Sequence, residues 1–75
     1  MPEAQIKLNK IADIHDFINL AMKCRGEVTV YSGKYVIDGK SLMGVMSLNL
    51  SEPIKIEIDG DIPCDVREGI KKYLV

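Results

Sequence analysis

The amino-acid sequence predicts an α+β protein, an open-faced sandwich in which a four-stranded antiparallel sheet carries its helices on one face. Short alternating segments indicate strands with one apolar face, longer segments keep helical spacing, and the segments follow one another in the order β-α-β-β-α-β-α. The 75 residues suffice for one small domain, residues 1–75. With 47% hydrophobic and 28% charged residues, the composition excludes a disordered chain.

The first strand and the first helix are predicted from residues 5–26. Gln5 to Asn9 alternate in polarity, which is typical of a half-buried strand, and Asn9 is a suitable cap for a following helix. The helix is predicted to begin at Ile11 and to end near the Arg25-Gly26 pair. Its predicted apolar face consists of Ile11, Ile14, Phe17, Ile18, Ala21 and Met22.

The middle of the chain predicts a hairpin followed by a short helix. Glu27 to Tyr31 and Lys34 to Asp38 are rich in strand-forming residues, and the turn Ser32-Gly33 joins them. Ser41 is a favoured helix-capping residue in front of the apolar segment Leu42 to Leu48. The shortness of this segment and its glycine predict a weak helix.

The last third of the chain predicts the fourth strand and a final helix. Ile54 to Asp59 alternate without interruption and form the clearest strand. Pro63 suits the first turn of the final helix, in which Glu68 is expected to face Lys71 and Lys72. The apolar residues predicted to face the core are Val66, Ile70, Tyr73 and Leu74.

The charge and the rare residue types exclude several kinds of protein. The net charge of −1 and the absence of a lysine and arginine cluster predict no nucleic-acid binding. No apolar run approaches the roughly 20 residues of a membrane span, and no signal peptide is recognisable. The two cysteines, Cys24 and Cys64, are far apart and accompany a single histidine, so we expect reduced thiols, no metal, no cofactor and a cytoplasmic location.

Residues 40–48, with the sequence Lys-Ser-Leu-Met-Gly-Val-Met-Ser-Leu, closely resemble the regulatory-serine segment of HPr, the phosphocarrier of the bacterial sugar phosphotransferase system. The order of elements, the turn Ser32-Gly33-Lys34 and the Asp59-Gly60 pair also match the plan of that family. The resemblance implies the HPr fold and implies that Ser41 can be phosphorylated by an ATP-dependent HPr kinase. Ser41 is equally explained as a helix cap, and the two roles are compatible.

The other signature of the family, a histidine at the start of the first helix followed by Ala-Arg-Pro, is missing. Counted back from the serine segment, its position falls near Lys10. The only histidine, His15, lies inside the predicted helix, where no N–H groups are free for a phosphoryl group, and Asp16 beside it would repel one. We therefore expect His15 to be a surface or boundary residue with no arginine within reach, rather than a phosphoacceptor.

The apolar residues after Ser41 are too dense for one helix face to bury them all. Either some are exposed and bind partners, or the segment lies flat over a thin core. The predicted partner-binding residues are Lys40, Ser41, Leu42, Met43 and Met46.

These observations predict a non-enzymatic regulatory or adaptor protein that acts through the Ser41 surface, similar to the catabolite-repression HPr-like proteins. Its predicted partners are proteins, an HPr kinase or a transcriptional regulator, and the sequence indicates no oligomeric state. The alternatives are a genuine phosphocarrier that uses His15, and a purely structural or oligomerising domain. No catalytic residues are predicted, and Asp13 and Asp16 are interpreted as solvated carboxylates near the start of a helix.

Overall fold

The structure is a computed structural model that describes residues 3–75; Met1 and Pro2 of the predicted domain lie outside the described residues. Its four strands are β1 (Glu3–Ile6), β2 (Val28–Ser32), β3 (Tyr35–Asp38) and β4 (Ile54–Ile58). Its three helices are α1 (Ile11–Met22), α2 (Leu42–Met46) and α3 (Cys64–Lys71). The strands form one antiparallel sheet in the order β1-β4-β2-β3, which confirms the predicted fold class.

The two faces of the sheet follow from the alternation along the strands. On β4, Ile54, Ile56 and Ile58 are buried under the helices. Lys55 and Glu57 lie between them on the opposite face, and the Glu57 carboxylate accepts a hydrogen bond of 2.8 Å from the Tyr31 hydroxyl. The period of two therefore separates an apolar face from a polar one, as the sequence predicts.

Each helix contributes a fully buried anchor to one hydrophobic core. Phe17 of α1 is 1% exposed, and Val45 of α2 and Val66 of α3 are each 0% exposed. They pack against the buried side chains of the sheet, since all belong to a single cluster. Even the five-residue α2 is therefore fixed to the core, although its length alone makes a stable helix unfavourable.

The two edges of the sheet differ. Next to β1, the end of the chain adds a short antiparallel bridge between Ile6 and Leu74. The Lys7 N–H donates to the Tyr73 carbonyl at 2.8 Å, and the Val75 N–H donates to the Gln5 carbonyl at 3.2 Å. On the opposite side, β3 has no further strand beside it within residues 3–75.

The start of the chain corrects two predictions. The first strand spans Glu3–Ile6, where Gln5 to Asn9 had been expected, although Ile6 and Leu8 are both buried as the alternation predicts. The residue that caps α1 is Lys10 and not Asn9. The Asn9 side chain instead accepts a hydrogen bond of 2.9 Å at its Oδ1 from Lys7 Nζ.

The first helix ends earlier than predicted. α1 ends at Met22, three residues before the Arg25-Gly26 pair, and its terminal apolar residues Ile11 and Met22 are 60% and 62% exposed. These two residues therefore lie outside the core that their spacing predicts for them. A short turn after Met22 brings the Cys24 side chain into the core instead.

The end of the chain corrects three further details. Pro63 is the capping residue of α3 and not its first helical residue, and Leu74 is 48% exposed. Glu68 pairs with Lys71 at 3.0 Å, whereas Lys72 pairs with Asp16 of α1 at 3.1 Å. Cys24 and Cys64 are free thiols, and no helix within residues 3–75 combines the length and apolar character needed to cross a bilayer.

Candidate functional site

Ser41 caps α2, as predicted. Its backbone is extended, with φ −99° and ψ 106°, and its Oγ accepts a hydrogen bond of 3.1 Å from the Gly44 N–H. The Ser41 carbonyl accepts the Val45 N–H at 3.0 Å and closes the first helical turn. The hydroxyl therefore satisfies one N–H group that a helix start otherwise leaves unpaired.

Ser41 is positioned by the end of β3. The Ser41 N–H donates to the Asp38 carbonyl at 3.0 Å, and the Lys40 N–H donates to Asp38 Oδ1 at 2.9 Å. Ile37 of the same strand lies against α2, since a Cβ on Gly44 would stand only 2.7 Å from the Ile37 methyl carbon Cγ2. A glycine at position 44 thus lets α2 approach β3 closely, which explains its presence in so short a helix.

The α2 surface, which we define as Lys40, Ser41, Leu42, Met43 and Met46, exposes methionine side chains. Met43 is 78% exposed and Met46 is 43% exposed, whereas Leu42 is half-buried. The core absorbs Val45 fully and Leu48 in part. Of the two arrangements considered for this segment, the structure therefore has the one in which apolar residues reach the solvent.

Lys40 is engaged away from the Ser41 hydroxyl. Its Nζ donates to the Cys24 carbonyl at 2.8 Å, just after the C-terminal end of α1. In the sequence Lys40 is adjacent to Ser41, a position from which its ammonium could offset the charge of a phosphate. Helix carbonyls at a C-terminal end attract cations, which is the physical reason for the different placement.

The start of α1 is closed by a carboxylate from its own first turn. Asp13 Oδ2 accepts the N–H groups of Asn9 at 3.0 Å and of Lys10 at 3.3 Å. Lys10, near which the position of the missing histidine falls, has an exposed side chain. A signal for this arrangement was present in the sequence, because an acidic residue three positions after a cap commonly reaches back to it, but Asp13 was interpreted only as a solvated charge.

His15 is the fifth residue of α1, and its side chain is exposed, as predicted. The next residue, Asp16, accepts a hydrogen bond of 2.6 Å from the Tyr73 hydroxyl and an ion pair of 3.1 Å from Lys72 Nζ. These two contacts lower the pKa of the Asp16 carboxyl, while burial and the hydrogen bond to Asp16 raise the pKa of Tyr73. Asp16 therefore stays charged beside His15.

The Asp16 contacts were not predicted, because Tyr73 and Lys72 lie more than fifty positions away in the sequence and nothing local indicates the pairing. That no arginine lies within reach of His15 stays a prediction. Within residues 3–75, no group of three or more His, Cys, Asp or Glu side chains could hold a metal ion.

Comparison with known proteins gives one family match. A family model described as the PTS HPr component phosphorylation site matches residues 11–74. No curated protein sequence is similar enough to match the chain.

Three solved structures share the fold. HPr-C-His from Thermoanaerobacter tengcongensis has a TM-score of 0.76 at 23% identity, with 96% of this chain and 89% of that chain covered. A histidine-containing phosphocarrier protein from Mycoplasma has a TM-score of 0.66 at 21% identity, with 93% and 85% covered. The phosphocarrier protein HPr from Bacillus anthracis str. Ames has a TM-score of 0.65 at 20% identity, with 97% and 93% covered.

Proposed function

Because the chain belongs to the HPr family of phosphotransferase-system phosphocarriers, we propose that it is a regulatory or adaptor member, which acts through the α2 surface and does not carry phosphoryl groups on histidine. The resemblance predicted from residues 40–48 is confirmed at the level of the family. Members of this family are phosphocarriers rather than enzymes proper, and they interact with other proteins of the phosphotransferase system.

The observation that carries the proposal is the occupied start of α1. A phosphohistidine at a helix start needs free N–H groups and a nearby cation for its phosphoryl oxygens. Here the Asp13 carboxylate lies at that point, where it accepts the N–H groups of Asn9 and Lys10 just before the first helical residue, and the capping residue is Lys10. A negative carboxylate so close to the helix start repels an incoming anion. His15, one turn further, has its own N–H inside the helical ladder and Asp16 beside it.

The start of α2 supports the proposal that the protein acts through the α2 surface. Ser41 holds its helix start with a neutral hydroxyl, and phosphorylation would replace it with about two negative charges at pH 7. Met43 lies two positions away and is the more exposed methionine of α2. Methionine side chains adapt to different partners, and a new charge at the edge of such a patch changes which partners bind. The partner that we propose is an HPr kinase or a transcriptional regulator.

Phosphorylation with phosphoenolpyruvate tests the proposal that the protein does not carry phosphoryl groups on histidine. The protein is incubated with phosphoenolpyruvate and the histidine kinase that acts upstream of HPr in the system, and an ordinary HPr serves as the positive control. We expect no acid-labile mass gain of about 80 Da on this chain, while the control gains it. A gain that disappears in His15→Ala would establish the alternative, a genuine phosphocarrier that uses His15.

Phosphorylation with ATP tests the proposal that Ser41 is the regulatory residue of the α2 surface. The protein and its Ser41→Ala variant are treated with an HPr kinase, and the modified residue is mapped by mass spectrometry. We expect modification of the wild type at Ser41 and none of the variant. Modification only at Ser32, Ser47 or Ser51 would remove Ser41 from the mechanism. If neither Ser41 nor His15 is modified, the structural or oligomerising alternative gains support.

Binding tests the α2 surface itself. Met43→Lys and Met46→Lys are expected to weaken capture of the HPr kinase at least roughly tenfold, because each places a solvated charge inside an apolar contact. Met22→Lys is the matched control, since Met22 is 62% exposed on α1. Equal capture by all three variants would show that the kinase does not use this surface.

A further inference from the structure

The outer edge of β3 is an open strand with exposed apolar side chains. Tyr35 and Val36 are each 64% exposed, and within residues 3–75 no segment covers this edge in the way that residues 73–75 cover β1. Open edges of this kind pair readily with another strand, and proteins usually protect them.

The backbone groups available on this edge follow from the register. The Gly39 N–H points towards β2, where it donates to the Val28 carbonyl at 2.6 Å. Antiparallel ladders alternate, so the backbone groups of Val36 and Asp38 point away from β2. The Asp38 carbonyl is taken by the Ser41 N–H at 3.0 Å. The Asp38 N–H and both backbone groups of Val36 therefore remain for a neighbouring strand.

The side chains of this edge are complementary to those of an identical strand that pairs with it in antiparallel orientation. Residues 34–38, the turn residue Lys34 and the four residues of β3, read Lys-Tyr-Val-Ile-Asp. Antiparallel pairing of two copies about Val36 places Lys34 of each copy opposite Asp38 of the other, and Tyr35 opposite Ile37. Neither Lys34 nor Asp38 belongs to an ion pair within the described part of the chain. Opposite charges and aromatic–aliphatic contacts are both stabilising cross-strand pairs.

We propose that β3 pairs with β3 of a second copy, giving a two-fold symmetric dimer centred on Val36. The charges select this register. A shift of two residues removes both charge pairs, and a shift of four places like charges opposite one another. Charges on an edge strand ordinarily prevent such pairing, whereas their order here favours one alignment of two identical strands. The dimer does not depend on Ser41 phosphorylation or on the proposed function.

The expected dimer is weak, because the pairing of two five-residue segments buries less than the about 1,200 Å² of a stable interface. Its strength is measured by sedimentation from about 10 μM to about 1 mM protein. In the same range, ¹⁵N NMR follows the amide of Val36, and a sample of mixed isotope labels detects contacts between the Val36 residues of two copies. We expect concentration-dependent shifts at Val36 and Asp38 and none at Met43.

Variants of exposed residues test the geometry without disturbing the core. Val36→Lys places two like charges at the symmetry axis and is expected to weaken the dimer at least roughly tenfold. Met22→Lys, at a similarly exposed apolar residue on α1, should leave it unchanged. Lys34→Asp should weaken the dimer, and the double variant Lys34→Asp with Asp38→Lys should restore much of the loss, since the opposite charges meet again.

The proposal is overturned by a monomer at about 1 mM, by a dimer that Val36→Lys leaves intact, or by a charge-exchanged double variant that binds no better than Lys34→Asp alone. Thermal melting checks that each variant is folded. Concentration-dependent shifts confined to Met43 and Met46 would place self-association on the α2 surface and also contradict pairing through β3.

Discussion

The starts of α1 and α2 solve the same problem with different chemistry. Both must satisfy N–H groups at a helix end, but α1 does so with the Asp13 carboxylate and α2 with the Ser41 hydroxyl. A carboxylate already supplies the negative charge that a helix start attracts, and it repels an arriving phosphoryl group. A hydroxyl is neutral and can itself be modified. The comparison shows that one helix start already holds a charged carboxylate, whereas the other holds a neutral hydroxyl.

The largest expected effect comes from the anchors that hold the two helices. Phe17→Ala is expected to cost about 3–5 kcal/mol and Val45→Ala about 2 kcal/mol of the free energy of unfolding, because both side chains are almost fully buried and differ in size. Urea denaturation measures both losses. If Val45→Ala proved as costly as Phe17→Ala, α2 would be a far larger part of the core than its five residues indicate.

The next effect concerns the cap of α2. Ser41→Ala is expected to lower the free energy of unfolding by about 1 kcal/mol, because the Gly44 N–H loses its acceptor. Ser41→Asp should stay within about 0.5 kcal/mol of the wild type, since aspartate caps helices as well as serine does. Thermal melting compares the variants. A large loss in Ser41→Asp would show that this helix start does not tolerate a charge, and would speak against a phosphorylated Ser41.

A smaller effect is expected on the exposed side of α2. Met43→Lys should change the free energy of unfolding by less than about 0.5 kcal/mol, as is usual for surface substitutions. Met46→Lys should cost slightly more, because Met46 is the less exposed of the two residues. Chemical denaturation of both variants checks this order. Losses similar to that of Val45→Ala would mean that the methionines belong to the core.

The smallest expected effect is the acid sensitivity of the contacts that Asp16 of α1 makes with Tyr73 and Lys72. The lowered pKa of Asp16 means that its contacts stabilise the fold fully above the unfolded pKa of about 3.9. This stabilisation is lost as the pH falls through the lower folded value. Asp16→Asn and Tyr73→Phe should therefore lose less stability than the wild type between about pH 5 and pH 2. Melting temperatures across this range test it, and parallel curves for all three proteins would contradict it.

The strands were predictable because alternating apolar and polar residues indicate which side chains are buried in the core. β4 was predicted from Ile54 to Asp59 and ends at Ile58. At β1 the same signal misled, because Leu8 is buried although the ladder with β4 ends at Ile6, and Lys7 instead bonds to the end of the chain. Alternation cannot distinguish a strand from an extended segment that merely faces the core.

The cap of α2 was predictable, whereas the long-range polar contacts of Lys40 and Asp16 were not. Ser41 has the residue type and the position of a cap, and both are local properties. Lys40 reaches the Cys24 carbonyl and Asp16 reaches Tyr73, and these pairs lie 16 and 57 positions apart. Such contacts are set by the packing of whole elements, so residue types and spacing do not reveal them. The polar contacts of the site therefore required the fold.

The β-bridge between Leu74 and Ile6 of β1 determines from which edge of the sheet a linker at Val75 leaves the protein. Val75 is hydrogen-bonded to Gln5, so a linker joined after Val75 leaves from the β1 edge of the sheet. Ser41 follows β3 at the other edge, three strand spacings or about 14 Å across the sheet. A dye, a biotin or a solid support fixed through Val75 thus keeps clear of both β3 and the α2 surface, and binding at either can be followed on immobilised protein.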